Sequence, residues 1–65
     1  MNQIMKKLIK LNNGNNIIGI SRMKGYLKSN MKLSRREVEK TVNTIKSQCE
    51  LIEKKGTEEF YKLKG

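Results

Sequence analysis

The chain has 65 residues and carries 15 Lys or Arg against six acidic residues and no histidine, a formal charge of +9. At this length it is read as one domain, residues 1–65, and folding buries only about 60% of the surface the unfolded chain exposes, so the core is thin. A single cysteine, Cys49, excludes an internal disulfide. The absence of histidine removes the usual zinc ligand sets, and apolar runs as short as Ile17-Ile18 exclude a membrane-spanning helix.

In Met1 to Leu11 the apolar residues Met1, Ile4, Met5, Leu8, Ile9 and Leu11 recur at three- and four-residue spacings, which predicts a first helix with one buried face. The same stretch has the makings of a basic amphipathic membrane anchor. Its apolar face is better used completing a core that otherwise lacks one. Met1 reads as a true start, and no uninterrupted apolar stretch follows it as in a signal peptide, so an intracellular protein is expected, in cytoplasm or nucleus. Asn12-Asn13-Gly14-Asn15-Asn16 gathers the residues most tolerant of left-handed backbone and predicts a loop. Ile17-Ile18-Gly19-Ile20 is too short for a helix and suits a minimal strand.

Ser21 is positioned to cap a second helix in which Met23, Tyr26 and Leu27 share a face while Arg22, Lys24 and Lys28 point away. Gly25 costs that helix about 1 kcal/mol relative to alanine, and Asn30 reads as its left-handed stop. Leu33-Ser34-Arg35-Arg36-Glu37-Val38 is the clearest local signal. Ser34 and Glu37 form a capping box, with Leu33 and Val38 placed for a hydrophobic staple. The third helix, Ser34 to Gln48, turns Val38, Val42, Ile45 and Cys49 inward on one stripe, so Cys49 reads as a small buried hydrophobe and not a reactive thiol. Glu50 to Lys54 and Glu58 to Leu63 are β-prone segments separated by Lys55-Gly56-Thr57, which predicts a hairpin. Of Phe60 and Tyr61, one ring should enter the core and the other should lie across a sheet edge.

The order helix, short strand, helix, turn, capped helix, hairpin resembles the winged helix-turn-helix superfamily over almost the whole chain. The matching residues are Ser34-Arg35-Arg36-Glu37-Val38, Leu51-Ile52, Gly56 and Phe60-Tyr61-Lys62-Leu63. The resemblance implies a small α+β fold of three helices and a C-terminal hairpin wing, with the third helix presented to a major groove. Domains that bind left-handed nucleic acid are similar in the Ser-basic-basic-acidic-Val opening. Their helical Asn and Tyr correspond here to Glu39 and Asn43, and their wing Pro and Trp have no counterpart. Accessory domains of replication helicases, single-strand-binding subunits and cullin-type scaffolds are similar in outline, and for those protein contact is a common role.

At about 100° per residue, Arg36, Lys40, Asn43, Thr44 and Ser47 fall opposite the apolar stripe. Arg and Lys suit guanine, Asn43 suits adenine, and the hydroxyls of Thr44 and Ser47 suit phosphate. Arg35 and Arg36 crowd the first helical turn, where the helix dipole disfavours cations, and a phosphate there would offset this. The distribution of charge sharpens the picture. Residues 1–32 hold seven Lys or Arg and no acidic residue, whereas residues 33–65 hold eight against six. Glu50, Glu53, Glu58 and Glu59 balance Lys54, Lys55, Lys62 and Lys64, so the wing is neutral apart from a basic tip at Lys54 and Lys55. Lys24, Lys28 and Lys32, with Lys6, Lys7 and Lys10, are then the expected backbone contacts. Double-stranded DNA is the expected partner, and a DNA-binding regulator of transcription or replication the expected function. A module docking on a protein is the alternative, and a monomer or weak homodimer is expected. Without histidine or any convergent set of nucleophile, base and oxyanion donors, neither an enzyme nor a cofactor is expected.

Overall fold

The computed structural model describes residues 2–64, so the reading of Met1 falls outside the described residues. In chain order the elements are α1 (Asn2–Leu11), β1 (Ile17–Gly19), α2 (Ile20–Ser29), α3 (Arg35–Gln48), β2 (Glu50–Lys55) and β3 (Glu58–Lys62). The strands form one antiparallel sheet in the order β1-β3-β2. Three helices with such a sheet make a small α+β fold, and the layout is consistent with a winged-helix-like arrangement.

The core lies where the helices meet one face of the sheet. Met5 and Leu8 enter it from α1, Ile18 from β1, Met23 and Leu27 from α2, Val38, Val42 and Ile45 from α3, and Leu63 from just beyond β3. Ile4, Ile9, Tyr26, Leu33 and Cys49 pack half-buried against this cluster. Among the described residues each helix turns inward the stripe its periodicity predicted, with Ile4, Ile9, Leu11, Tyr26 and Cys49 half-buried at its margins. Cys49 is the C-cap of α3, half-buried, with its Sγ 3.7 Å from Met5 Sδ. Tyr61 is the buried ring. It pairs with Ile18 across the sheet and with Leu51 on the other side, while Phe60 faces the opposite way and lies half-buried over Gly19.

α1 ends in a Schellman motif. The amide of Gly14 donates to Ile9 O and that of Asn13 to Lys10 O, with φ values of 81° and 59°. Asn12, in the same turn, has a second task. Its side chain is buried, and Nδ2 donates to the carbonyls of Asn15 and Ile17, each at 3.1 Å, tying the loop to β1. The hairpin turns through Gly56, whose φ of 61° at the first turn position is what a type II′ turn requires, with Lys55 paired to Glu58.

Two local expectations are corrected. Ser21 does not cap α2, because the helix begins two residues earlier than such a cap would place it, at Ile20, with Gly19 as N-cap and no side-chain cap of its own. The free Ser21 amide instead donates to Glu58 Oε1 at 3.1 Å, so β3 supplies the carboxylate that the helix start lacks. Gly19 is needed for this approach. A Cβ there would stand 3.0 Å from the Phe60 ring and 3.2 Å from Glu58 Oε2. Asn30 is likewise not left-handed but right-handed helical, with φ −89°. The left-handed residue is Lys32, φ 58°, whose conformation lets the Leu33 amide reach back to Leu27 O at 3.1 Å.

Glu58→Ala removes this cap and lowers stability by about 1 kcal/mol in urea unfolding, with hydrogen exchange accelerated first at the start of α2. Lys32→Gly relieves the left-handed lysine and raises the urea midpoint, by about 1 kcal/mol of stability. An unchanged or lowered midpoint would show that the Lys32 conformation carries no strain.

Candidate nucleic-acid interface

The site begins with the N-terminus of α3. Ser34 is extended, φ −70° and ψ 165°. Its Oγ accepts from the Glu37 amide at 3.2 Å while Glu37 Oε1 accepts from the Ser34 amide at 3.0 Å, a complete capping box. These hydrogen bonds hold the Glu37 carboxyl below its ordinary value. With the helix start secured, the burial of Val38, Val42 and Ile45 dictates which way every other α3 side chain points.

Arg36, Lys40, Asn43 and Ser47 are exposed on the side away from the core. Thr44 is half-buried and turns toward α1, lining a shallow groove with Ile4, Leu33 and Lys40. Both hydroxyls predicted to meet phosphate are committed to their own helix. Thr44 Oγ1 donates to Lys40 O at 3.0 Å, and Ser47 Oγ donates to Thr44 O at 2.7 Å. A phosphate oxygen only accepts, so each hydroxyl must leave its carbonyl before it can make that contact.

Arg35 lies on the other flank of α3, facing α2. There it borders a groove of about 260 Å³ with Lys24, Gly25, Lys28, Val38 and Glu39. Lys24 Nζ and Glu39 Oε1 are 3.3 Å apart across it. Lys32 is exposed in the turn between the two helices. Lys54 and Lys55 stand at the exposed wing tip, where Lys55 Nζ lies 3.6 Å from Glu53 Oε2. Lys6, Lys7 and Lys10 are exposed on α1, outside both grooves. The structure therefore gathers Arg35, Lys24 and Lys28 along one groove, beside the Arg36-Lys40-Asn43 stripe, and neither the hairpin-tip lysines nor those of α1 border that groove.

Cations outnumber carboxylates 15 to six, and most of the carboxylates are engaged within the fold. Glu37 caps α3, Glu58 caps α2, Glu39 pairs with Lys24 and Glu53 with Lys55. Glu59 sits 3.5 Å from Lys46 Nζ and accepts from the Tyr61 hydroxyl at 3.0 Å. Five of the six acidic residues are thus held by named partners, and only three of the 15 cations have a carboxylate within 4.0 Å among the described residues. The Tyr61 hydrogen bond pulls the Glu59 carboxyl down, with Lys46 adding to the effect, while burial, followed by the same hydrogen bond, pushes the Tyr61 phenol up. Among the described residues no helix is long and apolar enough to cross a membrane, and no group of three or more Cys, Asp or Glu side chains could hold a metal ion.

These shifts fix the pH dependence of folding. Glu37 and Glu59 lie below the usual carboxylate value of 4.5, so their stabilisation is present above it and is lost as pH falls through the folded-state values. Tyr61 lies above 10.0, so its contribution is present below pH 10.0 and is lost as pH rises through its folded value. Glu37→Gln keeps the capping geometry but removes one titration, and thermal melts from pH 6 down to about pH 3 should fall less steeply than for the unsubstituted chain. Identical slopes would exclude Glu37 as a source of acid sensitivity. Comparison with protein-family models found no match to this chain, and comparisons with the curated proteins and with the solved structures found none either.

Proposed function

We propose that the chain is a winged helix domain that binds double-stranded DNA and serves as a regulator of transcription or replication. In this reading α3 enters the major groove. Arg36, Lys40 and Asn43 read base edges, while Arg35, Lys24, Lys28 and Lys32 hold phosphates. The observation that carries the proposal is the uncompensated charge beside an uncommitted helix face: Arg36, Lys40 and Asn43 are exposed and free of intrachain side-chain bonds among the described residues, next to three cations gathered by α2 and α3. A cationic face that the chain does not neutralise itself releases counterions when it meets a polyanion, and that release supplies affinity.

The hairpin favours a second reading, a module that docks on a protein within a larger nucleic-acid or scaffold assembly. β2 is an edge strand exposed at every residue, and Leu51 and Ile52 are 46% and 42% exposed on it. Retention of a partner after nuclease treatment, and its loss on Leu51→Asp, would favour docking. Loss of all partners on nuclease treatment would favour DNA.

Anisotropy titration of a labelled duplex tests the first reading. With about four phosphate contacts, raising salt from about 50 to 200 mM should weaken binding roughly 100-fold. Arg36→Ala and Asn43→Ala should each reduce discrimination between sequences by about 1–3 kcal/mol. A dissociation constant above millimolar at low salt, or one indifferent to salt, rejects the mechanism.

A further inference from the structure

Gly25 lies in the interior of α2, where glycine is the poorest helix former after proline. Nothing in the fold requires it. Its φ is not in the left-handed region, its position is exposed, and a Cβ built there meets no atom within 4 Å. Gly19 and Gly56 each answer to a close contact or a turn, whereas Gly25 answers to neither.

What does distinguish Gly25 is its surroundings. It lines the groove between α2 and α3 together with Lys24, Lys28, Arg35, Val38 and Glu39. Lys24 and Lys28 are one helical turn apart on one face of α2, Gly25 follows Lys24 and precedes Lys28 by three residues, and Arg35 borders the same groove from the first residue of α3. Three cations therefore surround a stretch of bare helix backbone. From the DNA-binding reading on which this rests, we infer that the phosphodiester backbone of one DNA strand crosses the α2–α3 groove directly over Gly25. The missing side chain lets a phosphate sink between Lys24, Lys28 and Arg35 and meet all three at hydrogen-bond range. Glu39 occupies Lys24 until then. The pair is 3.3 Å apart with its side chains 44% and 58% exposed, so a phosphate displaces the carboxylate at little cost.

Two substitutions test the inference against a shared wild-type duplex titration. Gly25→Ala should raise Tm by about 5 °C, because alanine favours the helix and meets no neighbour. The same change should weaken duplex binding about tenfold, because its methyl group lifts the phosphate away from charged donors. Stability and affinity thus move in opposite directions, a combination that neither a structural glycine nor an inert one produces. Glu39→Gln should tighten binding about threefold by removing the competing carboxylate. Gly25→Ala with unchanged or tighter binding, while Arg36→Ala still weakens it, overturns the groove path and leaves DNA binding standing. A lowered Tm in Gly25→Ala shows a glycine required by the fold and overturns the inference. Wild-type protein without salt-dependent duplex affinity overturns the DNA reading, and the groove path with it.

Discussion

The pairing of β3 with β1 joins the last strand to the segment between α1 and α2, and the placement of the helices depends on it. Ile18 meets Tyr61 and Gly19 meets Phe60 across that ladder, and the Leu63 amide extends it to Asn16 O at 2.7 Å. Because β1 runs directly into α2, the ladder also sets where α2 begins. Glu58 then reaches the Ser21 amide, and Phe60 closes over Gly19. A small chain with nine residues in its main buried cluster cannot hold such a junction by apolar contact alone. The ladder and the borrowed carboxylate supply directionality that a thin core lacks. β3 also meets α3, through Glu59 and Lys46 3.5 Å apart, so one strand contacts both helices that form the candidate interface.

Charge is divided between structure and surface with little overlap. Acidic side chains cap helix starts or pair locally, and most cations are left facing solvent. The positive surface follows chiefly from the excess of 15 cations over six carboxylates, and the carboxylates committed to helix starts leave a few more cations unpaired. Where one carboxylate does enter the candidate interface, as Glu39 does, it lies in an exposed pair that is weak in water. The wing has the opposite character. Its cross-strand neighbours Lys54 and Glu59, and Lys55 and Glu58, are oppositely charged, and such pairs support the hairpin instead of projecting a field.

Features governed by neighbours in sequence were legible before the structure. The α3 capping box needs only Ser34 and Glu37 three residues apart, and the stripes of α1 and α3 need only helical periodicity. Asn12 was legible only as a turn residue. Its buried amide takes acceptors from Asn15 and Ile17, and nothing local ranks it above Asn13 or Asn16. Lys32 was equally obscure, because asparagine is the usual left-handed residue and Asn30 stood two positions away. The commitments of Thr44 and Ser47 to helix carbonyls could have been suspected from their mid-helix positions, where hydroxyls commonly bond back along the chain.

By itself the sequence determined the kinds of element, their order, the inward stripe of each helix and the excess of positive charge, since these follow from residue spacing and composition. Only the tertiary structure decided that Lys24, Lys28 and Arg35 share a groove that the α1 and hairpin-tip lysines do not border. It also decided that α2 is capped from β3 and that Tyr61, not Phe60, is the buried ring. Each of these depends on which residues distant in sequence become neighbours. That in turn is set by strand register and by the angle at which α2 packs on α3, neither of which leaves a local signature.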